Sequence, residues 1–515
     1  MRKKALLILI FASLVTFKVL IMDSPLFRPN RGSKPIRIAL QGPWVTLDPS
    51  LQHTLWGDLA LSNQFDPLVG TFPEGGIAPL GAESWKISDD HRVFKFRINP
   101  SKRYSDGTPL RAQDYKTSWI RSLRIEPKSA NSSLLDVLYR VKGFDPKATD
   151  PLPGMRVLDD HHLEIEFKEP FRMALDHLTG IRFSAYRETP QGFLGSGNYV
   201  LTAKDAEHVD LQPNPFAEGT KDLSPIELSV LPAGRTLKAF ENDEVDVMAY
   251  GAADAFEPSV YKNDRLTILA GQEAAQFTLG LNGSDPKRPF AQKKLRQAVQ
   301  YITLRYLRQH PDLLGDSRYS KIDPQIYLPL QPGRLSEPEA EALIQEGVDF
   351  VPDLISASQK SPLVVKFSPK RAWVVTALEE AGIRLSERSS SVLAQDLTKL
   401  CYQGGDYDIL TWGFSVVSGD PDGIYHALGK NGAILNPTTY RKPVGDLLEE
   451  GRKIIGQEKL DAHYRKVSEA VLREVPFVHL GFGRAVAVFQ KDRVVLGDRS
   501  LRRNEGHLNF FQLKR

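Results

Sequence analysis

Few groups in this sequence have the residue types that chemistry needs. Asp159-Asp160-His161-His162 offers the imidazole and carboxylate donors of a metal site. Neighbours on an extended chain point to opposite faces, and no partner ligands follow at matching spacing, so the four residues read as a turn ahead of a strand. Cys401 has His426 nearby in sequence, which suggests a thiol nucleophile, but nothing places the base. Cys401 therefore reads as a packed side chain. Gly195-Ser196-Gly197 is not a nucleophile elbow, because its glycines are not two residues from the serine. No phosphate-cradling Walker loop and no His-Glu-x-x-His occurs. What remains is suited to non-covalent contact. Trp412-Gly413-Phe414-Ser415 stands at the carboxyl end of an apolar run, where ligands gather in α/β sheets.

The elements that must position these groups are strands and helices in mixture. Val93–Ile98 places Phe94, Phe96 and Ile98 against Lys95 and Arg97, and Leu163–Phe167 alternates in the same way. Period two with one polar face predicts half-buried strands. Pro362–Phe367 and Asp408–Trp412 are more continuously apolar, as in a covered sheet. Gln292–Gln309 carries Leu295, Ala298, Val299, Ile302 and Tyr306 on one helical stripe. Ser336 and Glu339 have capping-box spacing, with Gly347 placed to close that helix. Leu460–Glu474 is periodic and ends before Pro476. The alternation predicts an α/β chain.

The chain has 515 residues, which predicts two or three domains. Its single cysteine excludes an internal disulfide, thiolate zinc sites and iron–sulfur clusters. The net charge of +4 resides in residues 1–29, where Arg2, Lys3, Lys4, Lys18 and Arg28 face Asp23 alone. Removing these from totals of 67 basic and 63 acidic residues leaves 62 of each, so the body is neutral. Composition thus gives no support for a nucleic-acid partner. Arg2-Lys3-Lys4 followed by apolar Ala5–Phe17 has the pattern of an export signal. Val19-Leu20-Ile21-Met22 extends the run to roughly a membrane span, so a cleaved signal and a retained anchor are both open.

Residues 77–123 are more specific. Ala82–Trp85, Ser88–Asp90, the strand Val93–Ile98, Ser105–Pro109, and Ala112 with Asp114 occur in order. Together they resemble the signature region of the extracellular solute-binding proteins of the oligopeptide/dipeptide type (family 5), which serve ABC importers. Further ordered likenesses are Leu47-Asp48-Pro49, Gly195-Ser196-Gly197-Asn198-Tyr199, Glu244-Val245-Asp246, Leu281-Asn282, Gly405–Asp408 with Trp412, Gly419–Asp422 and Val475-Pro476-Phe477. The likeness spans residues 36–500.

The resemblance implies a two-lobed periplasmic-binding-protein fold of class II, the large peptide-binding type, with an extra domain in the first lobe. It divides the chain into a signal or anchor (1–22), a linker (23–35), first-lobe parts at 36–70, 183–265 and 479–515, the extra domain (71–182), and the second lobe (266–478). It further implies capture of an oligopeptide or similar solute by lobe closure and delivery to an inner-membrane ABC permease. The protein would be a periplasmic monomer, free or tethered, with no enzyme activity and no cofactor. A membrane-anchored sensor or interaction module of the same fold, and a binder of a non-peptide solute, are the alternatives. In the family the loop after Asp48-Pro49 faces the ligand, which makes His53 and Thr54 candidate contacts, with Trp412, Gly413, Phe414, Ser415 and Asp420 from the second lobe. One departure stands out. Peptide-binding members grip the ligand amino group with an aspartate shortly after the tryptophan, and here no carboxylate lies between Trp412 and Asp420. A buried ammonium without a carboxylate is costly, so a free amino terminus is not expected to be held in the usual way.

Overall fold

Two strands far apart in sequence organise the molecule. Leu266–Leu281 and Phe477–Gln490 run antiparallel, and each is long enough to serve two regions of one eleven-stranded sheet. At one end Val486–Phe489 pairs with Val247–Tyr250. Beyond it lie Ile36–Leu40 and Ile226–Val230 in parallel, then His208–Pro213 and Tyr199–Ala203 antiparallel. At the other end Ala275–Leu281 pairs with Ile409–Ser415, which continues in parallel to Val365–Phe367 and Ser390–Ser391. The register of the two long strands shifts between Ala270 and Glu273 and again between Glu273 and Ala275. Extra residues bend and twist a strand, so the shifts divide the sheet into two halves joined by crossing chains. The computed structural model describes residues 34–496, except 41, 43, 45, 53–54, 72–75, 126–135, 191, 204, 206, 232, 251–263, 284, 330, 416–419 and 431–441, together with 513–514.

Each half has its own core. Phe277, Leu279 and Leu281 alternate along their strand and meet Leu295, Ala298, Val299 and Ile302 of the helix Lys293–Gln309. The helix begins one residue later than the apolar stripe predicts, with Gln292 as its N-cap. Ile36, Ile38 and Leu40 meet Leu211, Ile226 and Val247 in the other half.

A third body is built on the antiparallel sheet of Ala82–Ile87, Val93–Ile98, His162–Glu166 and Met155–Val157. Phe94, Phe96 and Ile98 are buried and Lys95 and Arg97 exposed, as period two requires. The helix Ala112–Ile125 lays Tyr115 and Trp119 on this sheet. The Trp119 indole N–H donates to the Phe183 carbonyl at 3.0 Å, which satisfies the polar atom of a fully buried ring. Gly107, with φ of +85°, makes the turn expected of Asp106-Gly107.

Ser336 and Glu339 do form a capping box at the start of the helix Glu337–Gln345. Gly347 does not close that helix. The chain continues through a tight turn, Glu346–Phe350, into the helix Val351–Lys360. A Cβ at Gly347 would lie 2.3 Å from the Gln297 carbonyl oxygen, so glycine is needed for close helix packing. The helix Gln457–Glu474 ends at Val475, whose φ of +46° reverses the chain before Pro476. Ala5–Met22 lies outside the described residues, among which no helix is long and apolar enough to cross a membrane.

Candidate functional site: a seam of buried charges

The strand Ile409–Ser415 carries most of the residues singled out in the sequence. Trp412 and Gly413 lie opposite Thr278 and Phe277 of the long strand and are half-buried. The Arg371 guanidinium donates to the Trp412 carbonyl at 2.6 Å and stacks over the Phe277 ring, which fixes the strand end. A Cβ on Gly413 would approach the Gln276 carbonyl oxygen to 2.9 Å. Phe414 turns into the core, 8% exposed, with its ring edge-on to Phe477 at 6.1 Å. Ser415 ends the strand opposite Ala275. His53 and Thr54 lie outside the described residues.

Asp420 caps the turn Pro421–Ile424 by accepting the Asp422 amide N–H at 2.9 Å. Its carboxylate also takes a two-pronged pair from Arg172 of the third body, with Nη2 to Oδ1 at 3.0 Å and Nη1 on Oδ2. These partners are 248 residues apart in sequence.

The pair opens onto a larger set of charges. Arg452 is fully buried and donates from Nε to Asp422 at 2.8 Å and from Nη1 to Asp136 at 2.5 Å. Its planar guanidinium lies over the Tyr425 ring. The Tyr464 hydroxyl donates to the second oxygen of Asp422 at 3.3 Å. Arg140 donates to Glu449 at 2.9 Å, and Glu449 also accepts from the Tyr425 hydroxyl. Lys453 and Glu169 pair at 2.7 Å. His177 Nε2 sits 3.5 Å from Arg452 Nη2 and 3.9 Å from Asp422. Burial pushes the Asp136 carboxyl upward, but Arg452 and Arg140 outweigh it and hold it below the ordinary carboxylate range. For Arg452, burial is likewise outweighed, here by Asp422 and Asp136, so the guanidinium stays charged. Asp136, Arg140, Glu169, Arg172 and His177 thus interlock with Asp420, Asp422, Glu449, Arg452 and Lys453 across one seam.

Residues 76–304 match the profile of the bacterial extracellular solute-binding proteins, family 5 Middle. The periplasmic murein peptide-binding protein MppA of Escherichia coli K12 is 28% identical over 172 residues, covering 30% of this chain and 32% of that protein. The periplasmic oligopeptide-binding protein OppA of the same organism is 34% identical over 111 residues, covering 21% of this chain and 20% of OppA. The aligned part is therefore a third or less of these relatives' length. The solved MppA structure superposes with a TM-score of 0.78 at 16% identity, covering 94% of this chain and 98% of MppA. A periplasmic oligopeptide-binding protein of Borrelia burgdorferi, OppAIV, also gives 0.78, at 20% identity, covering 93% of this chain and 99% of its own. Over residues 76–304 the chain is similar to the family 5 extracellular solute-binding proteins. Its fold is the two-lobed binding-protein fold with an extra domain in the first lobe.

In this protein, the motifs that looked chemical serve the scaffold. Asp159 accepts the backbone N–H groups of His161 and His162 and faces the His162 ring, making the turn before the strand His162–Glu166. Cys401 is buried in the helix Ala394–Gln403 among Leu397, Tyr407 and Leu410. The Ser196 hydroxyl donates to Asp66 at 3.0 Å, and the Gly197 amide donates to the Gln64 carbonyl at 2.8 Å. A Cβ on Gly195 would lie 2.0 Å from that same carbonyl oxygen. Gly195→Ala is accordingly expected to lower stability by about 1–3 kcal/mol, read as a drop in the urea-unfolding midpoint. Asp48 accepts a bidentate pair from Arg121, with contacts of 3.1 and 3.0 Å, tying the opening loop to the helix Ala112–Ile125. Sequence reading singled out Asp420 but missed Arg172, Arg452 and Asp136. The pairs that cross the seam, Arg172 with Asp420 and Arg452 with Asp136, join residues 248 and 316 apart, and no spacing along the chain marks them.

Proposed function

We propose that this protein is an exported receptor that captures an oligopeptide or similar solute between its lobes and delivers it to an ABC permease in the inner membrane. The seam is the observation that carries this reading. Charged side chains from distant parts of the chain meet there, as they would when two lobes have closed on each other. Lobe closure gives selectivity because only the closed form contacts a ligand from both sides. MppA and OppA, named for murein peptide and oligopeptide binding, support a peptide as the solute. The ligand backbone would pair with strand ends near Trp412 and Gly413, as an added strand does. His53, Thr54, Ser415 and Asp420 complete the assigned contact set, with Phe414 backing it from the core through its ring on Phe477, and no covalent step or cofactor is assigned.

The lobes divide as the family resemblance sets out: 36–70, 183–265 and 479–515 in the first, 71–182 as its extra domain, and 266–478 in the second. The receptor works as a periplasmic monomer without a nucleic-acid partner, free or tethered through its amino-terminal segment. Mass determination of the mature amino terminus distinguishes these two forms. Gentle purification followed by mass spectrometry of the released solute tests the function. A peptide or peptide-like solute at near-stoichiometric occupancy is expected. A protein that neither carries nor takes up any solute would sink the reading.

A further inference from the structure

We infer that the seam is a reversible latch: charged groups of the protein itself hold the third body against the second lobe before any solute arrives. The latch rests on the lobe division proposed above and on no assumption about the solute.

The third body is fixed to the first lobe. Lys102 pairs with Asp66 at 2.7 Å, the Tyr115 hydroxyl donates to the Asp66 carbonyl at 3.3 Å, and Arg121 pairs with Asp48. It meets the second lobe differently. Phe171, Met173 and Leu178 belong to the apolar core of the third body, and Tyr425, Leu448 and Tyr464 to one of the second lobe. No described apolar cluster joins the two. What crosses the seam is charge: Asp136 with Arg452, Arg172 with Asp420, Arg140 with Glu449, and Glu169 with Lys453. In these pairs each face presents two cations and two anions, so the faces attract only when in register. A polar contact of this kind, without a shared apolar core, is typical of domains that move relative to each other.

Opening strands none of the most buried groups. Arg452 keeps Asp422 and the Tyr425 ring within its own lobe, and Asp136 keeps Arg140 at 3.5 Å. Asp420 keeps the Asp422 amide, and Glu449 keeps the Tyr425 hydroxyl. Lys453 and Glu169 are about half exposed already, so water replaces their contact. A buried charge left alone would forbid separation, but here both faces retain partners and the seam can part. The closed form is favoured because it alone adds the cross-seam pairs. The Asp136–Arg452 pair, with side chains 4% and 0% exposed, lies where salt screens least.

The test places spin labels at Leu158→Cys and Leu393→Cys, exposed positions on the third body and the second lobe; the chain's own thiol, Cys401, is buried. Distances are measured by pulsed electron paramagnetic resonance on full-length protein whose native mass spectrum shows no bound solute. One dominant distance, that of the closed structure, is expected. Arg172→Glu sets two carboxylates face to face and should shift the closed-to-open ratio toward open by at least about tenfold. Glu169→Lys, at the exposed rim facing Lys453, should act in the same direction more weakly, and adding Lys453→Glu should restore the closed distance. That rim pair decides the outcome if Arg172→Glu does not fold. A solute-free wild type dominated by a longer distance would overturn the latch and leave the receptor reading intact. A distance that no charge substitution moves would also overturn it, since the seam would then be a fixed interface.

Discussion

Arg452→Met is expected to destabilise the protein by about 3–5 kcal/mol, the cost of breaking a buried ion pair by removing one partner. Arg452 is fully buried between Asp136 and Asp422, whose side chains are 4% and 1% exposed. Without the guanidinium, two carboxylates remain buried with their main counter-charge gone. They must take up protons or draw in water, and either route costs free energy. Methionine has nearly the right volume, so the loss reports charge more than cavity. Asp136→Asn should hurt less, because Arg452 keeps Asp422 and the amide can still accept a hydrogen bond. Urea unfolding of both variants checks the order. If Arg452→Met matched the wild type, the seam would not be closed in solution.

The second large effect is a pH dependence centred on His479, which lies on the crossing strand Phe477–Gln490. Its Nδ1–H donates to the Asp323 carbonyl at 2.7 Å, and its buried Nε2 has no described partner. Burial, reinforced by nearby Arg334, pushes the imidazole down to about 3 despite the opposing Asp323 contact. An unfolded histidine titrates near 6.5, so between these values the unfolded chain binds a proton that the folded one refuses. Stability is therefore full above about pH 6.5 and falls by about 1.4 kcal/mol per pH unit as the pH drops toward 3. The depressed Asp136 carboxyl acts in a lower window. Its contribution is present above about pH 3.9 and is lost as the pH falls through its folded value. His479→Asn keeps a donor for Asp323 and removes the titration. Its stability between pH 6.5 and 4.5 should be nearly flat, measured by urea midpoints across that range. A wild-type curve just as flat would show that His479 is not buried neutral.

Particular elements show what could be read from the sequence. Phe94, Phe96 and Ile98 announced their strand because side chains alternate across a sheet, and the structure buries those three residues. Ser336 and Glu339 announced a helix start because the cap is satisfied within one turn. Gly347 misled for the opposite reason. A glycine near a helix end suggests a C-cap, but the space it vacates is filled by the carbonyl of Gln297, fifty residues earlier. Trp412 could be placed at a strand end, yet the turning of Phe414 into the core depended on Phe477 across the sheet.

The sequence by itself determined the periodic elements, the neutral body, the charged apolar amino terminus and the family signature. These depend on neighbours within a few residues, or on composition, and such signals survive in one dimension. Tertiary structure decided which charges meet. Asp420 is one of two acids in the Asp420-Pro421-Asp422 turn of the sequence and one half of a long-range pair in the fold, because Arg172 reaches it from another body. Ion pairs are chosen by through-space distance and by loss of water, and neither is encoded in the spacing along the chain.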